Sequence, residues 1–144
     1  MAIYHIVLFK FKSLVPLDEV KAVSLFAFLF PLAKAQSHLT VEAVGNSAYV
    51  ISDSKQACNR MLALKTNCKH PETKQEYVKT SIGGINNSPE NIANGFTHAF
   101  ISQFDNEDDR AYYLSEDPAH LGFVKSIGEI VDLVQVIDFT PGVF

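Results

Sequence analysis

The sequence predicts an α+β fold, in which a four-stranded antiparallel sheet carries helices on one face. Three observations support this prediction. Four segments have the alternating, β-branched and aromatic pattern of strands, helical segments separate them in the order β-α-β-β-α-β, and the second helical segment is in two pieces. This order is the split βαβ, or ferredoxin-like, arrangement. The 144 residues are enough for one domain with a real core, so we expect a single domain over residues 1–144.

The composition is typical of a soluble globular protein, with 47% hydrophobic and 19% charged residues. The net charge is −4 and the Lys and Arg residues are scattered, which argues against nucleic acid or an anionic membrane as a partner. Cys58 and Cys68 lack metal-ligand spacing and are too few for a disulfide scaffold. The apolar run over residues 25–33 is about half as long as a membrane span requires, and Pro31 interrupts it. Because the residues after Met1 lack a signal-peptide pattern, we expect a cytoplasmic protein. We also expect that it needs no cofactor.

The first strand covers residues 2–11, which alternate with a period of two. Because both faces are largely apolar, we expect this strand to be covered on both sides. His5 lies on the same face as Phe9 and Phe11. The residues of this face are Ile3, His5, Val7, Phe9 and Phe11, and those of the other face are Tyr4, Ile6, Leu8 and Lys10.

A helix begins near Pro16, but its pattern breaks over residues 23–56 and returns at Ala57. When residues 23–56 are removed, the two half-helices join into one apolar stripe at helical spacing. The ends of the segment also allow intron boundaries, because Val23-Ser24 can be encoded by GTAAGT and Gln56 by CAG. We therefore interpret residues 23–56 as translated intron. The alternative is a genuine insertion that extends this helix and adds a hairpin around Gly45-Asn46. The residues of the joined stripe are Leu17, Val20, Cys58, Met61 and Leu62.

The remaining strands follow from similar patterns. Residues 77–82 read as a second strand, which we expect to end at Gly83-Gly84. Residues 95–104 read as a third strand and residues 133–139 as a fourth. The sheet face away from the helices is also apolar in several strands. A second copy of the chain is the economical cover for that face, so we expect a homodimer. The third strand places on one face Phe96, His98, Phe100, Ser102 and Phe104.

Two helix starts are marked by capping residues. Asn106 caps a helix with an acidic first turn, and Asp117 followed by Pro118 caps the next one. The second cap places His120 in the first turn, where free N–H groups and the helix dipole disfavour an imidazolium. A histidine held neutral near pH 7 can act as a base. The alternative is that His120 is merely a polar residue at a helix start.

Five short motifs occur in order along the chain: HIVLFKFK at residues 5–12, GFTH at 95–98, DRAYYL at 109–114, DPAHLGF at 117–123 and VIDFTP at 136–141. Together they resemble the stress-responsive A/B barrel family of dimeric α/β barrel proteins. The NSPE loop at residues 87–90 and the PGVF end at 141–144 are most similar to fungal members. The resemblance covers the whole chain except residues 23–56, which the family pattern lacks. It implies a homodimer whose two sheets form a barrel, with a small-molecule pocket in each subunit.

The chain is also distantly similar to a plant member of this family, olivetolic acid cyclase, which closes a polyketide ring by an aldol reaction. This similarity implies a hydrophobic or polyketide-like ligand and a catalytic His120. The catalytic tyrosine of that enzyme lies six residues before its histidine. Here Leu114 has this spacing and Tyr113 lies seven residues before, so Tyr113, or Tyr112, is the candidate proton donor. The substrate-binding residues implied or expected at the same cavity are His5, His98, Phe9, Phe96, Phe100 and Phe123.

Other readings stay open at this point. His5 and His98 could instead bond each other or the backbone and simply stabilise the core. The whole protein could be a non-catalytic stress-response or ligand-binding dimer, because one fold hosts both kinds of function. Three histidines could in principle bind zinc, but we expect no metal, since their neighbours are apolar. The best carboxylate to support such a site is Asp138, which we expect on the opposite strand face.

Overall fold

The computed structural model describes residues 1–12 and 46–144, and it describes only the backbone of residues 46–53. The helix predicted near Pro16 and residues 23–45 of the interrupting segment lie outside the described residues. The described parts form a four-stranded antiparallel sheet with three helices, which confirms the predicted ferredoxin-like α+β fold.

The strands are β1 (Ile3–Phe11), β2 (Thr80–Ile85), β3 (His98–Phe104) and β4 (Val131–Phe139), in the order β2-β3-β1-β4. β1 lies at the centre and pairs antiparallel with both β3 and β4. Its alternate residues are buried from Ile3 to Phe9, as the period of two predicts. His5 is therefore on the buried face of the central strand.

The helices are α1 (Asn46–Asn67), α2 (Glu107–Ser115) and α3 (Pro118–Ile127). The predicted caps are present: Asn106 accepts a hydrogen bond from the Asp109 amide at α2, and Asp117 accepts from the first turn of α3. α1 begins at Asn46 rather than at the predicted Ala57. Residues 46–56 are thus helical and continuous with residues 57–67. Their lack of a helical apolar pattern, which led to the predicted start at Ala57, does not prevent a formed helix from extending through them.

The core lies between the helices and one face of the sheet. α1 contributes a buried stripe at helical spacing, and α3 contributes Phe123 and Ile127. The aromatic rings of Phe9, Phe100 and Phe104 form the sheet side of this core. The stripe of α1 consists of Ala57, Met61 and Leu64, and the buried Cys68 follows it directly after the helix ends.

Several strand boundaries differ from the predicted ones. β1 begins at Ile3 rather than at residue 2, and β2 begins at Thr80 rather than at residue 77. β2 runs through Gly83 and Gly84 instead of ending there. A Cβ at Gly83 would lie 2.3 Å from Cδ1 of Phe100, so this glycine makes room for a core ring and does not form a turn. β3 begins at His98, three residues later than predicted, and β4 begins at Val131, two residues earlier.

The opposite face of the sheet, here called the outer face, is not covered by any described residue of the chain. The pairing register places the same-face neighbours Ile6, Ile101 and Ile137 side by side on it. Ile82 and Ile137 are 56% and 46% exposed in the protomer. The apolar side chains of the outer face are Tyr4, Ile6, Leu8, Ile82, Ala99, Ile101, Leu133, Ile137 and Phe139.

Candidate functional site

A cavity of about 270 Å³ lies between the inner face of β1 and β4 and the three helices. Its described lining is almost entirely apolar, and His5, His120 and Asp138 supply its polar side chains. Such a surface can hold an apolar molecule and orient its few polar atoms. The apolar lining consists of Val7, Phe9, Met61, Leu114, Phe123, Val124, Ile127, Val134 and Val136.

His5 and Asp138 form a hydrogen-bonded pair at one side of the cavity. They are directly opposite each other on β1 and β4, so their side chains share a face. His5 Nδ1 lies 2.6 Å from Asp138 Oδ1, and Arg110 Nη1 donates to Asp138 Oδ2 over 3.0 Å. The expectation that Asp138 lies on the face away from the cavity is wrong. The register of β4 on β1 decides the face, and β4 is apolar on both faces, so its alternation did not reveal it.

His120 reaches the cavity from the first turn of α3. Its backbone amide donates to Asp117 Oδ1 over 3.2 Å, which fixes the start of the helix and hence the direction of the ring. Burial lowers the pKa of His120, and the nearby His5 lowers it further. Its Nδ1 atom is buried and has no hydrogen-bond partner among the described residues. A neutral imidazole in this position is chemically able to accept a proton.

Tyr113 lies behind His120 rather than in the cavity wall. Its ring stacks on the imidazole with 3.9 Å between centroids, and its side chain is completely buried. Burial raises the pKa of its hydroxyl, which has no hydrogen-bond partner within the described ranges. Leu114, at the spacing expected for the catalytic tyrosine, lines the cavity instead.

Asp117 holds the start of α3 in place through buried hydrogen bonds. Only 1% of the residue is exposed, and its carboxylate accepts hydrogen bonds from the Ala119 amide over 2.8 Å and from the Tyr77 hydroxyl over 2.7 Å. Cys68 is also close to Asp117. Burial first, and the charge of Asp117 second, raise the pKa of the Cys68 thiol to about 12. This thiol is therefore protonated at neutral pH and is not a nucleophile.

The structure brings together only some of the other predicted site residues. Phe9 and Phe123 line the cavity, whereas Phe100 is in the core beneath Phe9, with 5.4 Å between ring centroids. Phe96 precedes β3 and is absent from the described lining. His98 is also absent from it: its ring packs edge-on against Phe11 at 4.9 Å, and burial lowers its pKa. Two of the three expected histidines thus meet at the cavity.

Some lining residues were not predicted. Met61 follows from the apolar stripe of α1, which indicated a core position but not a cavity. Leu114 and Val124 are partly exposed apolar residues of α2 and α3. The tyrosine spacing was a signal for the position of Leu114, whereas no signal marked Val124 as a cavity residue.

Within residues 1–12 and 46–144 there is no group of three or more His, Cys, Asp or Glu side chains placed to hold a metal ion. The helices of the same part of the chain include none with the length and apolarity needed to cross a membrane.

Comparison with solved structures shows the fold in proteins of distant sequence. The Arabidopsis thaliana protein At3g17210 is 21% identical, with a TM-score of 0.62 and coverage of 99% of this chain and 97% of that one. The hydroxynitrile lyase of Passiflora edulis is 18% identical, with a TM-score of 0.55 and coverage of 99% and 96%. A dimeric ferredoxin-like protein of unknown function from Jannaschia sp. CCS1 is 13% identical, with a TM-score of 0.56 and coverage of 97% and 99%.

Comparison by sequence gives the family. No curated protein matches the chain. The family model of the stress responsive A/B barrel domain, Dabb, matches residues 3–141. Because this match spans nearly the whole sequence, the chain belongs to the stress responsive A/B barrel family.

Proposed function

We propose that the protein is a homodimer that binds an apolar, polyketide-like small molecule in its cavity and uses His120 as the base of an aldol-type reaction. One observation carries the proposal: a mostly apolar cavity of about 270 Å³ receives two imidazoles, those of His5 and His120. Imidazoles are the side chains best suited to proton transfer near neutral pH.

The size and polarity of the cavity limit the ligand. Small-molecule sites usually have volumes of about 300–1,000 Å³, so this cavity suits a ligand at the small end of that range. Its apolar walls favour an aromatic ring or a short alkyl chain. His5, His120 and Asp138 favour a few oxygen atoms at one side of such a ligand.

The proton-transfer role of His120 is supported by its surroundings. Removing a proton from carbon or from a hydroxyl group requires a base that is neutral at working pH. Burial and the neighbouring His5 favour the neutral imidazole of His120. A hydroxynitrile lyase shares the fold, which supports catalysis by analogy of fold alone.

The alternative function is ligand binding without catalysis. One observation favours it: Tyr113, the candidate proton donor, is fully buried behind His120, and Leu114 lines the cavity at the tyrosine spacing. If no other group donates a proton, the cavity can bind an oxygenated ligand but cannot complete an aldol step.

The binding part is tested by titrating the labelled protein with 2,4-dihydroxy-6-pentylbenzoic acid, an aromatic polyketide, in NMR spectra. We expect shifts at His5, His120 and Val136. Val136→Trp should fill the cavity and abolish these shifts, whereas Val143→Trp, at an exposed position of the C-terminal tail, should preserve them. Binding that survives Val136→Trp would place the ligand elsewhere and refute this proposal.

The homodimer is supported by the apolar outer face of the sheet and by the dimeric state named for the Jannaschia protein. Burying such a face is strongly favourable, and a charge placed in its middle is costly. In sedimentation experiments we expect a dimer for the wild type and a monomer for Ile137→Lys. Ile92→Lys, at a loop residue that is 71% exposed, should stay dimeric.

A cytoplasmic location stays a prediction.

A further inference from the structure

We infer that His5 is a second catalytic residue, which donates a proton to the ligand oxygen that becomes negative, and that Asp138 and Arg110 hold it for this task. This inference rests on the proposed function, in which His120 is the base. It replaces the tyrosine donor with a histidine pair, and it assigns roles to Asp138 and Arg110 that their place in the sequence did not suggest.

The geometry of the pair defines which nitrogen of His5 can act. Asp138 uses one carboxylate oxygen for each neighbour: Oδ1 faces His5 Nδ1 at 2.6 Å and Oδ2 accepts from Arg110 Nη1 at 3.0 Å. Because the bond to Asp138 keeps a proton on Nδ1, Nε2 is the remaining position for contact with a ligand. Donation from Nε2 requires the imidazolium form of His5, and Asp138 is placed to form an ion pair with that form.

The other candidate donors are badly placed. The Tyr113 hydroxyl is buried and absent from the described cavity lining. Leu114, which does line the cavity, has no proton to give. Among the described lining residues, only His5 and His120 can exchange a proton near neutral pH, since Asp138 is held by its two partners. If one imidazole is the base, the other is the acid.

The two imidazoles balance a retro-aldol step. His120 takes the hydroxyl proton of a β-hydroxyketone, and the bond between the α and β carbons breaks to give an aldehyde. The electron pair of that bond moves into the ketone carbonyl and forms an enolate. His5 gives its Nε2 proton to the enolate oxygen, and the resulting enol tautomerises to the ketone. One proton passing from His120 to His5 then restores both residues, and the reverse sequence forms the carbon–carbon bond.

The groups facing His5 are compatible with these roles. Asp138 on β4 is the anionic group beside His5, while Arg110 on α2 and His120 on α3 are the cationic or ionisable groups near it. Tyr113 contacts it with an edge-on ring at 5.9 Å between centroids. Ser102, a neutral residue, lies opposite His5 on the paired strand β3. The proximity of His5 lowers the pKa of His120 and so favours a neutral His120.

Two probes separate the base from the acid. 5-Nitrobenzisoxazole opens when a base removes one proton from carbon, and it needs no acid because the product is a stable phenolate. 4-Hydroxy-4-(4-nitrophenyl)butan-2-one needs both a base and a donor in its retro-aldol cleavage. We expect His120→Gln to abolish both reactions. His5→Gln and Asp138→Asn should lower the retro-aldol rate about a hundredfold relative to the benzisoxazole rate of the same variant.

Further measurements keep the inference falsifiable if His5→Gln does not fold. Long-range ¹H–¹⁵N spectra of the whole protein report which nitrogen of His5 carries a proton, and we expect a proton on Nδ1, the atom that faces Asp138 Oδ1 at 2.6 Å. Asp138→Asn should weaken this preference for Nδ1. Arg110→Gln, which changes a positioning residue, should lower the retro-aldol rate more than the benzisoxazole rate. The matched control is His70→Gln, in the turn after α1 and outside the described cavity lining, which should leave all these readouts unchanged.

The outcomes distinguish the two proposals. A benzisoxazole rate that is absent, or unchanged in His120→Gln, overturns the base and with it this inference. A benzisoxazole rate that depends on His120, combined with a retro-aldol rate that survives His5→Gln and Asp138→Asn, overturns the donor role of His5 alone. A His5 whose Nδ1 carries no proton in the folded protein also overturns it.

Discussion

The Tyr77 hydroxyl donates a hydrogen bond of 2.7 Å to Asp117 Oδ2, and both residues are buried. Asp117 Oδ1 accepts from the amides of Ala119 and His120, so three donors converge on one carboxylate. This bond ties the segment after α1 to the first turn of α3. Because that turn carries His120, the Tyr77–Asp117 pair supports the cavity as well as the fold.

The first prediction compares two buried tyrosines. Tyr77→Phe removes a donor from a buried charge and should lower the free energy of unfolding by about 1.5–3 kcal/mol. Tyr113→Phe removes a buried hydroxyl that has no hydrogen-bond partner among the described residues, so it should leave stability unchanged or raise it by up to about 1 kcal/mol. Urea unfolding of both variants measures the difference. A clear loss of stability in Tyr113→Phe would mean that the nearby Ser102 hydroxyl bonds to Tyr113 in solution.

The second prediction concerns the close contact beneath β2. A Cβ at Gly83 would approach Phe100 Cδ1 to 2.3 Å and the Ala99 carbonyl oxygen to 2.7 Å. Gly83→Ala should therefore destabilise the protein by about 1–3 kcal/mol, because the core ring must move. Gly84→Ala is the matched control, since no atom of the described residues, apart from its chain neighbours, lies within 4 Å of the added carbon. Thermal unfolding at equal protein concentration compares them, and equal melting temperatures would contradict the close packing of Phe100.

Much of this architecture could be predicted from local signals. The alternation of β1 predicted the buried face that carries His5, and the Asp117-Pro118 pair predicted the start of α3 and the position of His120. These predictions succeed because a period of two and a helix cap depend on residues close together in the sequence.

The partner of His5 could not be predicted in the same way. Asp138 is 133 residues away in the sequence, and its contact with His5 depends on the register of β4 against β1. That register contains an irregularity between Lys10 and Phe11, and Val134 and Ile137 make both faces of β4 apolar. Nothing local then indicates which face turns inward. His98 was misplaced for a related reason, because it lies at the first residue of β3 and its ring turns to Phe11.

The third prediction tests whether residues 23–56 belong to the mature protein. Deleting them joins Ala22 to Ala57, which is itself buried at the start of the core stripe of α1. If the segment is translated intron, the shortened protein should fold with the same sheet and melt at a higher temperature than the 144-residue chain. Transcript sequencing gives an independent check. An equal or lower melting temperature, or an abundant message that retains these codons, would favour a genuine insertion.

The fourth prediction concerns the pH dependence of stability. Burial, and then the charge of His5, lower the pKa of His120 below its ordinary value of 6.5, while Asp117 and the Tyr113 backbone oppose this shift. Below about pH 6.5 the unfolded chain therefore binds a proton at His120 that the folded chain does not, until the pH reaches the folded pKa. Stability should fall as the pH decreases through this window and should be fully present above it. Burial of His98 acts in the same direction.

Unfolding free energies of the wild type and His120→Gln at several pH values between about 5 and 8 measure this effect. The variant should differ from the wild type by a constant amount above about pH 7 and should lose less stability than the wild type below about pH 6.5. An analogous His98→Gln variant should show a smaller loss for the same reason. The ¹H NMR titration of His120 gives its folded pKa directly, and a value at or above 6.5 would contradict both the buried, neutral imidazole and its assignment as the base.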